Sequence, residues 1–206
     1  MHPGKLITIE GIDGAGKSTL AVALAQELTD RDIPIQLLRE PGGVRAAERI
    51  RELVADPSLQ IGARAEALLY AAARAQLVDE ALRPLLGGGT WVLLDRFVDS
   101  SLAYQGGGRE LGIDAVREIN EFAIRGLRAD RTLLLVVDPH TGRTRSHARA
   151  GAPDRLEREQ DEFFRRTAEA YLELAAGDPE RIRALDASVA PADVLRAALD
   201  ALADLL

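Results

Sequence analysis

Residues 5–18 have the sequence KLITIEGIDGAGKS, and this stretch decides the fold. Its first part, residues 5–10, is short, β-branched and apolar, which predicts a strand. The remainder matches the pattern G-x-x-x-x-G-K-[ST]. Glycines there let the backbone approach an anion closely, successive N–H groups point at phosphate oxygens, and the following helix contributes its N-terminal dipole. The stretch therefore predicts a phosphate-binding loop (P-loop) between a strand and a helix.

The loop side chains predict the donor half of a phosphoryl-transfer site. Lys17 is expected to reach the β- and γ-phosphates of ATP, and the Ser18 hydroxyl is expected to ligate Mg²⁺. The predicted ATP-binding residues are Gly11, Ile12, Asp13, Gly14, Ala15, Gly16, Lys17, Ser18 and Thr19. A P-loop does not by itself distinguish a kinase from an ATPase or a GTPase. The sequence contains no N-K-x-D-like string for reading guanine, and a motor or transporter ATPase would usually be larger, so a small kinase is favoured.

Composition limits the class of protein. The chain has 206 residues, 47% hydrophobic and 29% charged, which predicts one globular domain over residues 1–206. It has no cysteine, which excludes a disulfide framework and a thiol nucleophile. A net charge of −7 and 4% aromatic residues argue against a nucleic-acid partner. No apolar run is long enough to span a bilayer and the first residues do not resemble a signal peptide, so we expect a cytoplasmic protein without a membrane partner.

Beyond the loop, strand and helix patterns alternate. Strands are predicted at 33–38, 91–94, 132–137 and 181–185, and helices at 19–30, 46–55, 63–86, between 96 and 125, 157–175 and 191–206. This alternation predicts an α/β fold, a parallel sheet of about five strands with helices on both faces and ligands at the carboxyl ends of the strands. The segment 138–154, DPHTGRTRSHARAGAPD, interrupts the pattern and is expected to be a helix end followed by a mobile flap.

Further segments resemble the thymidylate kinase family in order along nearly the whole chain. They are REPGG at 39–43, LYAAAR at 69–74, DRFVDSSLAYQG at 95–106, DRLE at 154–157 and the helix at 163–174. This family transfers the γ-phosphoryl group of ATP to dTMP. The resemblance implies a P-loop NTPase fold of the nucleoside monophosphate kinase type, a homodimer and Mg²⁺ as cofactor. The P-loop carries Gly14-Ala15 rather than an arginine, and in this it is similar to the bacterial type of the family. The catalytic arginines of that type come from a flap called the LID, here around 140–156.

Two residues at the end of a predicted strand are candidates for catalysis. Asp95 can help to hold Mg²⁺ directly or through water, and the alternatives are a helix N-cap or an arginine partner. Arg96 can bridge the acceptor phosphate and the transferring group, and the alternative is a surface salt bridge. With the LID arginines, the predicted catalytic residues are Lys17, Asp95, Arg96, Arg145 and Arg149.

The resemblance also implies which residues bind dTMP. They are Asp13, Glu40, Arg51, Tyr70, Arg74, Arg96, Ser101, Tyr104 and Gln105. Arg51 is expected at the phosphate, and its alternative is a solvated helix charge. Asp13 and Glu40 are expected near the deoxyribose and phosphate, although Asp13 could instead stabilise the loop.

The thymine base is expected to lie among residues of two helices. Tyr70 and Arg74 are four residues apart on one helix face, so the ring can stack on the base while the guanidinium donates to O4. Core packing is the alternative for Tyr70. Gln105 is expected to read the base edge, with Ser101 near the ring. Tyr104 is expected to clash with a ribose 2′-hydroxyl.

The LID carries Arg143, Arg145 and Arg149, with Arg155 at its exit. Phosphoryl transfer needs positive charge and exclusion of water, and a closing segment with arginines supplies both. The LID has the sequence G-R-T-R where the family usually has G-L-x-R, and it contains one apparent extra residue. The alternative to a catalytic role for these arginines is a solvated basic stretch. Two other functions compete with the kinase assignment: a different nucleoside or nucleotide kinase, and a P-loop regulator without transfer activity.

Overall fold

The computed structural model describes residues 4–147 and 155–206. Its centre is a five-stranded sheet in the order β2-β3-β1-β4-β5, with every neighbouring pair parallel. The strands are β1 Leu6–Glu10, β2 Ile35–Arg39, β3 Trp91–Asp95, β4 Arg131–Val136 and β5 Ile182–Asp186. Ile9 is paired with Asp95, so the ends of β1 and β3 are level. The predicted parallel five-stranded α/β sheet is confirmed.

Helices connect these strands. They are α1 Lys17–Thr29, α2 Arg45–Ala55, α3 Ala63–Leu77, α4 Arg83–Gly87, α5 Val98–Ser101, α6 Ile113–Ile124, α7 Pro139–His147, α8 Asp161–Gly177 and α9 Pro191–Ala201. Two π-helical segments, Val78–Leu82 and Leu102–Gly108, join α3 to α4 and extend α5. Among the described residues, none of these helices is long and apolar enough to span a membrane.

Some helix boundaries differ from the prediction. Helix α8 begins at Asp161 rather than near 157, because Gln160 has an extended backbone and the acidic residues Asp161 and Glu162 favour a helix N-terminus there. Helix α9 ends at Ala201, and the last residues form turns. The long helix predicted over 63–86 is a nearly continuous helical run that the π-helical segment interrupts.

The sheet has a hydrophobic core on each face. Leu6 and Leu94 pack on one side, in a cluster that includes residues of α3 and the Val78–Leu82 segment. Ile7 and Leu93 belong to the other cluster, which includes residues of α1, α8 and α9. Successive strand residues alternate between the two faces, which requires helices on both sides. The site lies where β1, β2 and β3 end.

Candidate active site

The loop after β1 has the backbone that the glycine pattern predicts. Gly11, Gly14 and Gly16 have φ angles of 135°, 77° and 99°, a region that favours glycine. A Cβ on Gly14 would lie 1.9 Å from the carbonyl oxygen of Gly142 in α7. The loop is therefore held between the sheet and α7, and position 14 has no room for a side chain.

Lys17 begins α1, and its side chain is buried. Its Nζ donates to the carbonyl oxygen of Ile12 at 2.8 Å and lies 3.9 Å from a carboxylate oxygen of Asp13. Burial, followed by the charge of Arg96, lowers the pKa of Lys17 to about 8, against the opposing charge of Asp13. The ammonium thus keeps its charge at neutral pH while it is largely removed from water, which strengthens its attraction for an anion.

Ser18 and Asp95 bring two oxygen atoms together at the ends of the loop and of β3. The Ser18 hydroxyl donates to Asp95 Oδ2 at 3.0 Å. This pair fits Mg²⁺, which is usually held by one or two carboxylates together with substrate phosphates and water. Within residues 4–147 and 155–206, no group of three or more His, Cys, Asp or Glu side chains could hold a metal. Phosphate oxygens and water would complete the coordination of such an ion.

Arg96 has φ of 71°, an uncommon backbone for a residue with a side chain and one that concentrates at functional sites. Its guanidinium donates to Asp13 Oδ1 at 2.5 Å and to the carbonyl oxygen of Gly11 at 3.1 Å. It also lies 4.9 Å from the centroid of the Tyr104 ring. The side chain is 18% exposed, so the alternative of a surface salt bridge does not describe it.

Asp13 accepts hydrogen bonds from two sides. Besides Arg96, the Tyr104 hydroxyl donates to its Oδ2 at 3.0 Å. Burial alone would raise the pKa of Asp13, but the charges of Arg96 and Lys17 outweigh burial and hold the pKa below its ordinary value. Asp13 therefore anchors Arg96 and Tyr104 to the P-loop, and its expected role at dTMP stays a prediction.

A cavity lies beside Arg96, between the P-loop, the end of β2, α3 and the helical segment after β3. Its lining contains every residue predicted to bind dTMP: Asp13, Glu40, Arg51, Tyr70, Arg74, Arg96, Ser101, Tyr104 and Gln105. The tertiary structure thus brings together residues from separate segments of the chain. Tyr70 is only partly buried at the wall of this cavity, which favours a role there over core packing.

Arg74 is 2% exposed and is surrounded by acceptors. Its Nε donates to Glu40 at 2.8 Å, its Nη1 to Ser101 at 2.9 Å and also to Asn120, and its Nη2 to the carbonyl oxygen of Phe97 at 2.9 Å. These bonds hold the guanidinium in one orientation at the cavity wall. A planar donor group with one orientation is suited to reading the edge of a base.

Glu40 pairs with Arg74 at the wall of the cavity. Its Oε2 lies 2.6 Å from Arg74 Nη2 because the buried guanidinium requires a carboxylate partner, and its expected position near the deoxyribose and phosphate stays a prediction. Burial raises the pKa of Glu40 to about 7, against the charge of Arg74. Its Oε1 is buried and has no hydrogen-bond partner in the part of the chain that the structure describes.

A second cavity also adjoins the P-loop. It is lined by Gly14, Ala15, Gly16 and Thr19 from the loop and α1, by Arg145 of α7, and by residues after β5. Arg145 donates to the carbonyl oxygen of Ala187 at 3.0 Å. Because Asp13 lines the first cavity and Gly14 the second, both cavities adjoin the same loop.

The other LID arginines have different surroundings. Arg143 pairs with Asp161 and lies 5.2 Å from the centroid of the Phe164 ring. Arg155 donates to the carbonyl oxygen of Val54 at 2.9 Å. Arg149, one of the predicted catalytic residues, lies outside the described residues.

Sequence reasoning missed several buried acceptors beneath the site. Glu10 is fully buried and accepts from the backbone N–H of Phe97 at 2.7 Å and from the Tyr171 hydroxyl at 2.9 Å. Asn120 of α6 accepts from Arg74. These partners come from distant segments, and no local spacing connects them to the site.

Glu66 was missed although a signal for it was present. It precedes Tyr70 by four residues and Arg74 by eight on α3, so all three share one helix face. Its side chain is fully buried and accepts from Gln105 Nε2 at 2.9 Å. Extending the four-residue spacing of Tyr70 and Arg74 by one helical turn toward the N-terminus would have identified Glu66.

A P-loop that adjoins two cavities, one of them lined by arginines and an aromatic ring, is typical of P-loop phosphotransferases. The family model described as thymidylate kinase matches residues 9–197. The chain belongs to the thymidylate kinase family and is an enzyme of that type.

Individual relatives agree with this assignment. The thymidylate kinase of Pelotomaculum thermopropionicum is 47% identical over 97% of this chain and 94% of that protein. The thymidylate kinase of Deinococcus radiodurans is 46% identical over 96% and 95%, respectively. The crystal structure of thymidylate kinase from Ehrlichia chaffeensis matches with a TM-score of 0.78 at 27% identity, covering 98% of this chain and 99% of that one.

Proposed function

We propose that the chain transfers the γ-phosphoryl group of ATP to dTMP, giving dTDP and ADP, a step in dTTP biosynthesis. The observation that supports this most is the cavity beside Arg96, whose lining contains all nine residues expected at dTMP. A P-loop by itself would suit many enzymes. A cavity of this composition next to it favours a nucleotide acceptor.

In the proposed complex, the acceptor base lies against α3. The Tyr70 ring stacks on thymine, Arg74 donates to O4, and Gln105 contacts the base edge with Ser101 near the ring. Arg51, which donates to the carbonyl oxygen of Pro41 at 3.2 Å, faces the dTMP phosphate. Such polar contacts set orientation while the rest of the pocket provides burial.

The Tyr104 side chain lines the sugar at its 2′ position. Its hydroxyl is tied to Asp13, so the ring has little freedom to move away from a ribose hydroxyl. Preference for deoxyribose would then be steric.

The chemistry requires positioning and positive charge rather than a general base, because the acceptor is already an anionic phosphate oxygen. Lys17 and Arg96 neutralise charge on the transferring group. Asp13 and the carbonyl oxygen of Gly11 hold the Arg96 guanidinium in place for this task. Mg²⁺, held through Ser18 and Asp95 directly or through water, would supply further positive charge at the β- and γ-phosphates.

We propose a single domain over residues 1–206. In it, the LID, around 140–156, completes the proposed site. Helix α7 contacts the P-loop, and Arg145 lines the second cavity, which is the proposed site of ATP. We assign the last positive charge to Arg145 or Arg149. A segment that covers the phosphates would also exclude water, which limits hydrolysis of ATP.

We also propose a homodimer that works in the cytoplasm. Helices α3 and α6 pack side by side, and each exposes a large apolar residue: Leu68 is 56% exposed and Phe122 is 88% exposed. Apolar surface of this kind is typical of a protein interface. A second copy of the chain is the occupant that the family resemblance implies.

One experiment tests the proposed reaction. ADP release is followed with ATP and Mg²⁺ and a panel of nucleoside monophosphates. We expect turnover with dTMP well above that with CMP or UMP. Absence of turnover with every monophosphate would favour a P-loop regulator, and preference for CMP or UMP would indicate a different nucleotide kinase.

A further inference from the structure

The carboxylate of Glu66 on α3 is completely buried and receives several donors. Gln105 Nε2 donates to its Oε1 at 2.9 Å. Arg109 donates through Nε at 3.2 Å and through Nη2 at 3.0 Å. Arg155 Nη2 lies 2.6 Å from its Oε2. Glu66 thus connects the predicted base-reading residue Gln105 to Arg155 at the exit of the LID.

We propose that Glu66 is a positioning residue that sets base specificity by fixing the orientation of the Gln105 amide. A carboxylate between two guanidiniums accepts hydrogen bonds and donates none. Only the amino group of Gln105 can therefore face it, since a flipped amide would place two oxygen atoms against each other. The carbonyl oxygen of Gln105 is then the atom left for the cavity that this residue lines.

The fixed orientation has a consequence for the base, and this step rests on the proposed placement of dTMP. Thymine presents a donor at N3 and an acceptor at O4. Gln105 with its oxygen toward the cavity offers an acceptor for N3–H, and Arg74, the residue proposed at O4, carries donors only, so the pair matches thymine. Cytosine has an acceptor at N3, which would face the oxygen of Gln105. Its 4-amino group is a donor, which would face the donors of Arg74. A mismatched buried polar group is strongly disfavoured.

Glu66→Gln tests the inference, with Glu159→Gln as the matched control. Glu159 pairs with the same Arg109, at 2.6 Å, but the side-chain amide of Gln105 donates to Glu66 and not to Glu159. The measurements are kcat/KM for dTMP and for dCMP, KM for ATP and thermal unfolding. For E66Q we expect the ratio of dTMP to dCMP to fall by about tenfold or more, with KM for ATP within about twofold. E159Q should leave the ratio unchanged.

Gln105→Ala separates this inference from the proposed function. If Q105A leaves KM for dTMP unchanged, the proposed base site is wrong. If Q105A reduces specificity and E66Q does not, the inference about Glu66 is overturned. In the double variant, E66Q should cause no additional loss of specificity, and an additive loss would also contradict a role through Gln105. Should E66Q not fold, Glu66→Asp, which withdraws the carboxylate by one methylene, takes its place in the same measurements.

Discussion

Gly142 of α7 packs so closely against Gly14 of the P-loop that a Cβ on Gly14 would lie 1.9 Å from the Gly142 carbonyl oxygen. The contact is reciprocal, because a Cβ on Gly142 would lie 2.8 Å from the carbonyl oxygen of Asp13. The start of the LID is therefore docked on the loop through backbone atoms. This contact gives a physical reason why position 14 carries no arginine, and it agrees with the proposal that the last positive charge comes from the LID.

The first prediction concerns Gly142→Ala. Alanine in a helix interior usually stabilises by about 0.5–1 kcal/mol relative to glycine, but here the added methyl group would push α7 away from the loop. We expect destabilisation by about 1–3 kcal/mol and a KM for ATP raised by about tenfold. Thermal unfolding and steady-state kinetics measure both effects.

Gly177→Ala is the matched control for Gly142→Ala. Gly177 is also a helical glycine, at the end of α8, and a Cβ there would meet no atom within 4 Å. This variant should unfold at the same or a slightly higher temperature and keep its KM for ATP. If both variants have the same unfolding temperature and the same KM for ATP, the contact between Gly142 and the P-loop affects neither stability nor ATP binding.

The second prediction concerns Arg74. Arg74→Ala should raise KM for dTMP by more than about tenfold and leave KM for ATP within about twofold, because the guanidinium lines the cavity beside Arg96 that is proposed to bind dTMP. It should also destabilise the protein by about 3–5 kcal/mol, since Glu40 would remain buried without its partner.

Arg74→Lys separates the two effects of the alanine variant. A lysine keeps a charge for Glu40 but loses the planar fork of donors. We expect it to recover much of the stability while KM for dTMP stays high. Equal increases of both KM values in either variant would count against base reading by Arg74.

The third prediction is a pH dependence of ATP use. Lys17 has a pKa of about 8 in the folded protein, below its ordinary value, so it loses its charge as pH rises through 8. The kcat/KM for ATP, which reports the free enzyme, should therefore fall by about tenfold between pH 7 and pH 9. The phosphate groups of the substrates are largely ionised throughout this range, because the second pKa of a phosphate ester is near 6.

Lys17→Arg is the control for this profile, since a guanidinium stays charged throughout. Its kcat/KM for ATP should be lower than that of the wild type but flat over the same range. A decline of equal size in K17R would assign the titration to a different group.

The fourth prediction concerns association. Phe122→Glu places a charge on the exposed face of α6 and should convert the proposed dimer to a monomer in sedimentation or light-scattering measurements, because burying an unpaired charge is costly. Leu172→Glu is the control, since Leu172 is a 49% exposed apolar residue on α8. A wild-type monomer, or loss of the dimer in both variants, would contradict the proposed interface.

The sequence by itself determined the fold class and the family. The P-loop pattern at residues 11–18 and the alternation of strands and helices are local properties, and they predicted the five-stranded parallel sheet that the structure contains. The motif residues likewise predicted which side chains meet at one cavity. The boundaries of α8 and α9 and the π-helical segments were less accessible, because they depend on backbone conformations outside the repeating pattern.

Only the tertiary structure decided which partners hold the site residues in place. The pairing of Glu40 with Arg74 and the contacts of Glu10 and Asn120 were not foreseen. A buried charge or amide must find its partner, but the partner can come from any segment that the sheet brings near. Local spacing does not encode that choice, so the orientation of Gln105 toward Glu66 became visible only once α3 and the segment Leu102–Gly108 were packed together.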